Sequence, residues 1–219
     1  MTRAANSTWY NWYANDLLAR DIKQLAHGLA GDIVVDVGCG ASPYRAYLPG
    51  FKRYIGLDTP GRPDSGSHPD IVGDAIALPL RAGCVDAVLC TEVIEHVVDP
   101  LALVSEAYRV LKPEGALLLS APFTWHLHDE PHDYWRFTEY GLRLLCERAG
   151  FRVAAVRATN RYFGAVLQSR AYWLMFVSGR FRPLTRPVVW MLQTAAVLAR
   201  PFDRNPRMAS NYVVLARKN

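Results

Sequence analysis

The stretch that most restricts what this chain can become runs Asp32-Ile-Val-Val-Asp-Val-Gly-Cys-Gly-Ala-Ser-Pro-Tyr44, read together with Tyr54-Ile-Gly-Leu-Asp58. An apolar, β-branched run ends in a glycine turn, and a second short apolar run delivers an acid 20 positions after Gly38. An α/β sheet builds a nucleotide pocket in this way: the glycines let the backbone approach the ligand, and the acid accepts two ribose hydroxyls. The third position of the dinucleotide pattern G-x-G-x-x-G, however, is Pro43. A pyrophosphate favours a helix start with free amides and a close-packing glycine there, and proline supplies neither. The loop suits a nucleoside without phosphates better than a dinucleotide, which disfavours a nicotinamide-dependent oxidoreductase.

At 219 residues the chain can bury one full α/β core with length left for an appendage. Half of it is hydrophobic and 21% is charged, ordinary globular material. The net charge of +5 hides an asymmetry. Residues 1–151 hold 13 Lys/Arg against 19 Asp/Glu, whereas residues 152–219 hold 12 Lys/Arg and one acid, Asp203. The basic character belongs to one region, which either faces something anionic or is simply well solvated. Cys39, Cys84, Cys90 and Cys146 are scattered without a C-x-x-C pair, so neither a disulfide framework nor a thiolate zinc site is indicated. The first residues lack the apolar core of a signal peptide, and the expected location is the cytoplasm.

Along the chain, residues 8–30 have a helical period headed by Trp9, Tyr10, Trp12 and Tyr13. Strands are expected at 33–37, 53–57, 70–74, 85–90 and 116–121, with an amphipathic helix over 99–112 stopped by Pro113. A second helix is expected from about 138 to 149, opened by Thr138-Glu139 and closed by Gly150. Residues 151–156 and 211–216 read as two final strands, separated by an insertion with apolar helical stretches at 162–178 and 187–200. Neither stretch spans a bilayer: Gln168 and Arg170 interrupt the first, and the second falls short of about 20 residues. Strands alternating with helices indicate a parallel, doubly wound, Rossmann-like sheet. The expected organisation is one domain over 1–219: a helical cap (1–30), a cofactor-binding core (31–156), a helical insertion or acceptor lid (157–210) and a final strand (211–219).

S-adenosylmethionine is the candidate ligand of the glycine turn. Gly38, Cys39 and Gly40 would pass under its methionine portion, and Asp36 would meet its ammonium directly or through water. Asp58, with Thr59, suits the ribose, while Gly73, Asp74 and Ala75 suit the adenine. Any one acid here could equally be a solvated strand end or a helix cap; their order along successive strand ends is what makes the pattern specific.

At Val35-Asp-Val-Gly-Cys-Gly40, Gly56-Leu-Asp58, Gly73-Asp74, Thr91-Glu-Val-Ile-Glu-His96 and Glu106-Ala-Tyr-Arg-Val-Leu-Lys-Pro-Glu-Gly115 the chain resembles the class I S-adenosylmethionine-dependent methyltransferases, particularly the small type 11 group that includes ubiquinone/menaquinone-methyltransferase-like proteins. The resemblance covers roughly residues 30–155, and departs at Glu114, where the family carries glycine. It implies a seven-stranded α/β sheet whose last strand is antiparallel, with Thr91 or Glu92 lining the methionine side of the pocket. It implies a transferase activity as well: methyl transfer from S-adenosylmethionine. A non-catalytic protein that keeps the fold and binds the cofactor is the competing expectation.

Methyl transfer is an in-line displacement, for which a protein supplies alignment and, for a hydroxyl acceptor, a base. The richest loop is Phe123-Thr-Trp-His-Leu-His-Asp-Glu-Pro-His-Asp-Tyr-Trp-Arg-Phe-Thr138, expected at the carboxyl edge of the sheet where ligands bind. His132 with Asp133 is the favoured base, then His128, then His96, since imidazole titrates near neutrality and an acid can fix its tautomer. Trp9, Tyr10, Tyr13, His126, Tyr134, Trp135 and Arg136 are the candidate acceptor-binding residues. Alternatively, residues 134–137 merely pack and cap the following helix, with Asp133 paired to Arg136. The spacing His126-x-His128-x3-His132 raises the alternative of a metal-assisted O-methyltransferase, but such sites are usually carboxylate-rich and no metal is expected.

The favoured acceptor is a small, partly apolar or lipid-linked molecule of secondary-metabolite or glycan type, methylated on oxygen. The insertion mixes apolar helices with arginines and with Tyr172, Trp173, Phe176 and Trp190. That composition suits peripheral contact with an anionic membrane at its inner face. It suits equally a lid or a homodimer interface whose apolar faces pack on protein. Nucleic acid is not expected as a partner, because no dedicated motif accompanies the arginines.

Overall fold

The computed structural model describes residues 8–59, 68–203, 205 and 207–219, with backbone only at 8–10, 180 and 182. The β-branched runs form a seven-stranded sheet in the order β3-β2-β1-β4-β5-β7-β6. Its strands are β1 (Gly31–Val37), β2 (Phe51–Asp58), β3 (Ile71–Val72), β4 (Val85–Thr91), β5 (Leu111–Pro122), β6 (Phe151–Thr159) and β7 (Asn211–Lys218). The first five are parallel to their neighbours, while β7 lies between β5 and β6 and runs antiparallel to both. The carboxyl ends of β1, β2 and β4 therefore share one edge.

Alternation along each strand sends side chains to two faces. Val34, Leu89, Leu118 and Val213 meet Leu18, Ile22 and Leu25 of helix α1 (Thr8–Ala26). Val35, Val88, Leu117 and Val214 meet the other layer, made by α2 (Pro100–Val110) and α3 (Glu139–Arg148). Asp99 caps α2, accepting from the Ala102 amide at 3.0 Å, and Thr138 caps α3, accepting from Gly141 at 3.1 Å. Gly150, at φ +99°, closes α3 in the left-handed conformation that a helix-ending glycine supplies.

Several boundaries differ from expectation. Helix α2 stops at Val110, because Leu111 pairs with Val85 and β5 already starts there rather than at 116. The strand expected over 70–74 keeps only Ile71 and Val72. Strand β6 runs on to Thr159, so the insertion comprises 160–210 instead of 157–210. Arg157 and Thr159 are sheet residues tied to α1 through Asp21.

The insertion forms α4 (Tyr162–Ser178) and α5 (Arg182–Ala199), which pack on each other and on α1. Buried polar contacts hold this third layer: Gln168 Nε2 donates to Asn11 Oδ1 at 2.6 Å, and the Gly164 amide donates to Asp203 at 3.2 Å. Tyr13 belongs to the same seam. It packs with Leu17 and Ala196, and its hydroxyl donates to the Ala196 carbonyl at 3.3 Å. At 4% exposure it is a packing residue between helices and not the acceptor-closing residue expected. The side chains of Trp9 and Tyr10, expected beside it, lie outside the described residues.

Candidate active site

The glycine turn closes β1 without starting an α-helix; the helical piece described between β1 and β2 is a 3-10 turn at Arg45–Tyr47. Gly38 has φ +70°, and a Cβ there would sit 2.3 Å from Val93 Cγ2, so both backbone sign and packing demand glycine. The Gly38 and Cys39 amides donate to the Leu57 carbonyl, and the Gly40 amide donates to Asp58 Oδ2 at 3.0 Å. Asp58 also accepts from Thr59, at 2.9 Å, and its carbonyl receives the Gly73 amide. Asp74 Oδ1 accepts from Ile76 beside buried Ala75. The expected cofactor residues Asp36, Gly38, Cys39, Gly40, Asp58, Thr59, Gly73, Asp74, Ala75, Thr91 and Glu92 thus gather along one sheet edge.

Asp36 is 1% exposed, accepts a hydrogen bond from the Tyr54 hydroxyl through Oδ2, and has no partner at Oδ1. Burial pushes its pKa up to about 7, against the Tyr54 hydrogen bond and with help from the Asp58 charge. An orphaned buried carboxylate oxygen at a strand end is a site prepared for a cation. The Glu92 carboxylate accepts from Ser120 Oγ and Asn211 Nδ2, both at 2.7 Å, and so ties the ends of β5 and β7 together.

The histidine loop, 123–137, folds over the 3-10 turn Ile94–His96 that follows β4. The Tyr134 amide donates to the Glu95 carbonyl, Trp135 Nε1 to Val97 and His96 Nδ1 to His132. Arg136 organises the loop from within. Its five N–H groups reach Asp133 Oδ1 and Oδ2 and the carbonyls of Trp125, His126 and Trp135 at 2.6–3.2 Å. A guanidinium has five donors, so none is left for an acceptor molecule, contrary to the acceptor-binding role expected of Arg136.

The expected pairing of His132 with Asp133 does not form. Asp133 accepts from Arg136 and from the His128 amide, and His128 Nδ1 lies 3.1 Å from it. Burial opposes the Asp133 charge, but these hydrogen bonds hold its pKa well below the usual carboxylate range. Burial likewise opposes the charged form of His128, yet Glu95 and Asp133 outweigh it and raise its pKa. His132 is exposed, with Nδ1 3.0 Å from the Tyr134 hydroxyl. His126 stacks on Tyr172 of α4, ring centroids 3.3 Å apart, and burial with the neighbouring His128 and Arg136 charges lowers its pKa to about 4. The insertion therefore touches the histidine loop directly.

Sequence reasoning missed Glu95. It is fully buried, both carboxylate oxygens lack a hydrogen bond, and Oε1 lies 3.5 Å from His96 Nε2 and 3.7 Å from His128 Nε2. Its only signal was an acid directly before His96 in a motif otherwise read for its resemblance. The three expected histidines 126, 128 and 132 do not form a common ligand set; Glu95, His96 and His128 converge instead.

Residues 35–119 match the family model described as a methyltransferase domain. Over that stretch the chain is a methyltransferase domain, similar to those of the type 11 group. S-adenosylmethionine is the cofactor of this domain, and the orphaned Asp36 oxygen, the Gly38–Gly40 turn and Asp58 fit its ammonium, backbone approach and ribose. A protein of Mycolicibacterium smegmatis named a probable S-adenosylmethionine-dependent methyltransferase is 38% identical over 108 residues, 46% of this chain and 42% of its own length. The ubiquinone biosynthesis O-methyltransferase of Actinobacillus pleuropneumoniae is 28% identical over 122 residues, 48% of this chain and 52% of its own. The chain spans about half the length of these curated relatives. The crystal structure of an S-adenosylmethionine-dependent methyltransferase from Mesorhizobium loti shares the fold at a TM-score of 0.60 and 16% identity, covering 95% of this chain and 98% of that one.

The methyltransferase domain's histidine loop depends on Arg136. Replacing it with lysine leaves one point charge for a fork of five donors and should cost about 2–3 kcal/mol. Urea melts should show that loss, and limited proteolysis should cut within 123–137 faster. Affinity for S-adenosylhomocysteine should stay within about threefold, since the donor residues lie on other loops. A variant with unchanged stability and protease resistance would show that the guanidinium is not the organiser.

Proposed function

We propose that this chain methylates an oxygen of a small, partly apolar or lipid-linked acceptor, using S-adenosylmethionine. The observation that carries the reading is the orphaned Asp36 carboxylate, set beside the glycine turn and Asp58 at the edge where the histidine loop also folds. When bound, the cofactor supplies an electrophilic methyl carbon on a sulfonium. Asp36 holds the ammonium, the Gly38–Gly40 backbone and Thr91 border the methionine portion, Asp58 and Thr59 hold the ribose, and Gly73–Ala75 border the adenine.

On the acceptor side, His132 is the proton acceptor. Both ring nitrogens of His128 are directed at carboxylates, and His96 Nδ1 is spent on the His132 carbonyl. Among the described residues only the Tyr134 hydroxyl approaches the His132 ring, at Nδ1. Tyr134 and Trp135, both exposed, and His126 on Tyr172 offer apolar walls to an acceptor.

Incubating the protein and a cell extract with isotopically labelled cofactor, followed by mass spectrometry, tests the activity and names the acceptor. His132→Ala should lower turnover by about 10²–10⁴-fold with cofactor affinity nearly intact; full activity would remove it as the base, and no labelled product from the unaltered protein would leave only a cofactor-binding role. Asp36 generates a pH prediction. Its proton, bound in the free protein below about pH 7, must leave before the carboxylate can meet a cation. Affinity for the cofactor should therefore fall about fivefold from pH 7 to pH 6 in calorimetry, and Asp36→Asn should flatten the profile. A profile unchanged by Asp36→Asn would place the ammonium elsewhere.

A second observation favours a membrane-surface acceptor. No helix among the described residues is long and apolar enough to cross a membrane. Yet the outer side of α4 and α5 exposes Trp173, Phe176, Leu184, Trp190, Met191 and Leu198, with Arg170 and Arg186 also exposed. A patch of this kind with cationic neighbours suits the headgroup region of an anionic bilayer. Phosphatidylglycerol vesicles should co-sediment the protein and release it at high salt, and the Trp173→Ser/Trp190→Ser double variant should bind less. Equal behaviour on neutral vesicles, or a stable dimer that hides both tryptophans, would overturn the membrane contact.

A further inference from the structure

Glu95 presents an unresolved electrostatic problem. Its carboxylate is fully buried, and at 3.5 and 3.7 Å the two imidazole nitrogens nearest Oε1 are beyond normal hydrogen-bonding distance. Such a group is costly unless something else satisfies it. The histidines are oriented from behind. His96 Nδ1 is 2.7 Å from the His132 carbonyl, so it carries the proton and leaves the lone pair on Nε2. His128 Nδ1 is 3.1 Å from Asp133, itself held by Arg136, with the same consequence for its Nε2. With His128 neutral, two Nε2 lone pairs and a carboxylate oxygen thus face one small space, and either a proton shared with Glu95 or a metal cation in its place makes that arrangement favourable.

We propose that Glu95, His96 and His128 form a binding site for one divalent transition-metal cation of the zinc type. The donor set is two imidazoles and one carboxylate, which suits zinc and its first-row neighbours rather than magnesium or calcium. No two of the three donor atoms are more than 4.8 Å apart. Ligand bonds of about 2.0–2.1 Å in tetrahedral geometry place donors about 3.3 Å from each other. The two Glu95–His separations are within a few tenths of that value, and the two imidazole nitrogens, no more than 4.8 Å apart, would draw together by up to about 1.5 Å on binding.

The surroundings match what such a site needs. Each histidine donates its other ring N–H to a carbonyl or carboxylate, the outer-shell arrangement that fixes tautomer and orientation in metal centres. Glu95, Asp133 and Asp129, whose Oδ2 lies 3.9 Å from His96 Nε2, are opposed locally by Arg136, leaving an excess of negative charge for a dication. Three protein ligands leave coordination positions open for water or for an acceptor oxygen. In that respect the site deepens the oxygen-methylation reading, on which its catalytic meaning rests: the cation would anchor a hydroxyl next to His132. The metal expected to be absent thus has a ligand set, and it comes from residues other than the histidine triplet singled out in the sequence.

The test uses the untagged full chain, stripped with chelator and titrated with zinc chloride by calorimetry, with metal content read by mass spectrometry. One equivalent of zinc per chain is expected, and cobalt should produce visible d–d absorption. Glu95→Gln and His128→Gln should each weaken zinc binding by on the order of 100-fold or more, and Asp133→Asn by about 10–100-fold. The exposed His27→Ala should change nothing. Because Glu95 is buried, far-UV circular dichroism and S-adenosylhomocysteine binding confirm that each variant is folded. Folded wild-type protein that takes up no stoichiometric zinc or cobalt would overturn the proposal, as would equal binding by folded Glu95→Gln and His128→Gln. The two readings fail separately. Stoichiometric metal without any methyl transfer would sink the activity and keep the site, whereas full transfer by a chelated protein that binds no metal would do the reverse.

Discussion

The Arg136 guanidinium is the contact on which the histidine loop of this protein depends. One side chain satisfies three loop carbonyls and both oxygens of Asp133, and it does so within a loop that has no regular secondary structure of its own. A fifteen-residue irregular segment would ordinarily carry unpaired backbone groups or stay mobile. Here the planar fork replaces a ladder of backbone hydrogen bonds. Because Asp133 is then held rigidly, it can orient His128, and because the loop is clamped over the 94–96 turn, His128 meets Glu95 and His96. Remove the fork and the chain of consequences ends at its first step.

A second dependency links the insertion to the same place. Helices α4 and α5 rest on α1, through Leu167 and Ala196 against Tyr13 and Leu17 and through the amides Gln168 and Gln193. That seam leaves the outward side of both helices apolar and basic while Tyr172 reaches back to stack on His126. One element therefore touches the acceptor loop on one side and offers a cationic, aromatic surface on the other. An acceptor embedded in or carried near a membrane would need both.

The placement of the glycine turn and the strand-end acids was legible in the sequence because it is local. Gly38, Asp36 and Asp58 sit at strand ends, and strand ends follow from runs of Val, Ile and Leu. Their roles need only the order of the strands. The seven-stranded sheet and the antiparallel β7 followed from the same runs with the resemblance added. The histidine loop was legible as a loop but not as a site, since which acid meets which imidazole is decided by chain folding, which sets Asp133 on His128 and Glu95 between His96 and His128. Asp133 is adjacent to His132 in sequence, but adjacent side chains in an irregular loop need not face each other. Tyr13 misled for a related reason: an aromatic cluster at a helix start reads alike whether it closes a pocket or packs against a helix 180 residues away.

The two halves share a design in which buried carboxylates lack a full set of partners. Asp36 at the end of β1 has one orphaned oxygen, and Glu95 just beyond β4 has two. Both act on the fully buried Cys90 thiol between them, whose pKa rises well above normal through burial and then through the charges of Asp36, Glu95 and Glu92. A fold does not leave carboxylate oxygens unsatisfied in its interior without cost, because neither a partner nor solvent compensates the charge. A cationic ligand removes the penalty at each position. On the proposed reading the ammonium of the cofactor would bring positive charge to Asp36, and a dication would bring it to Glu95.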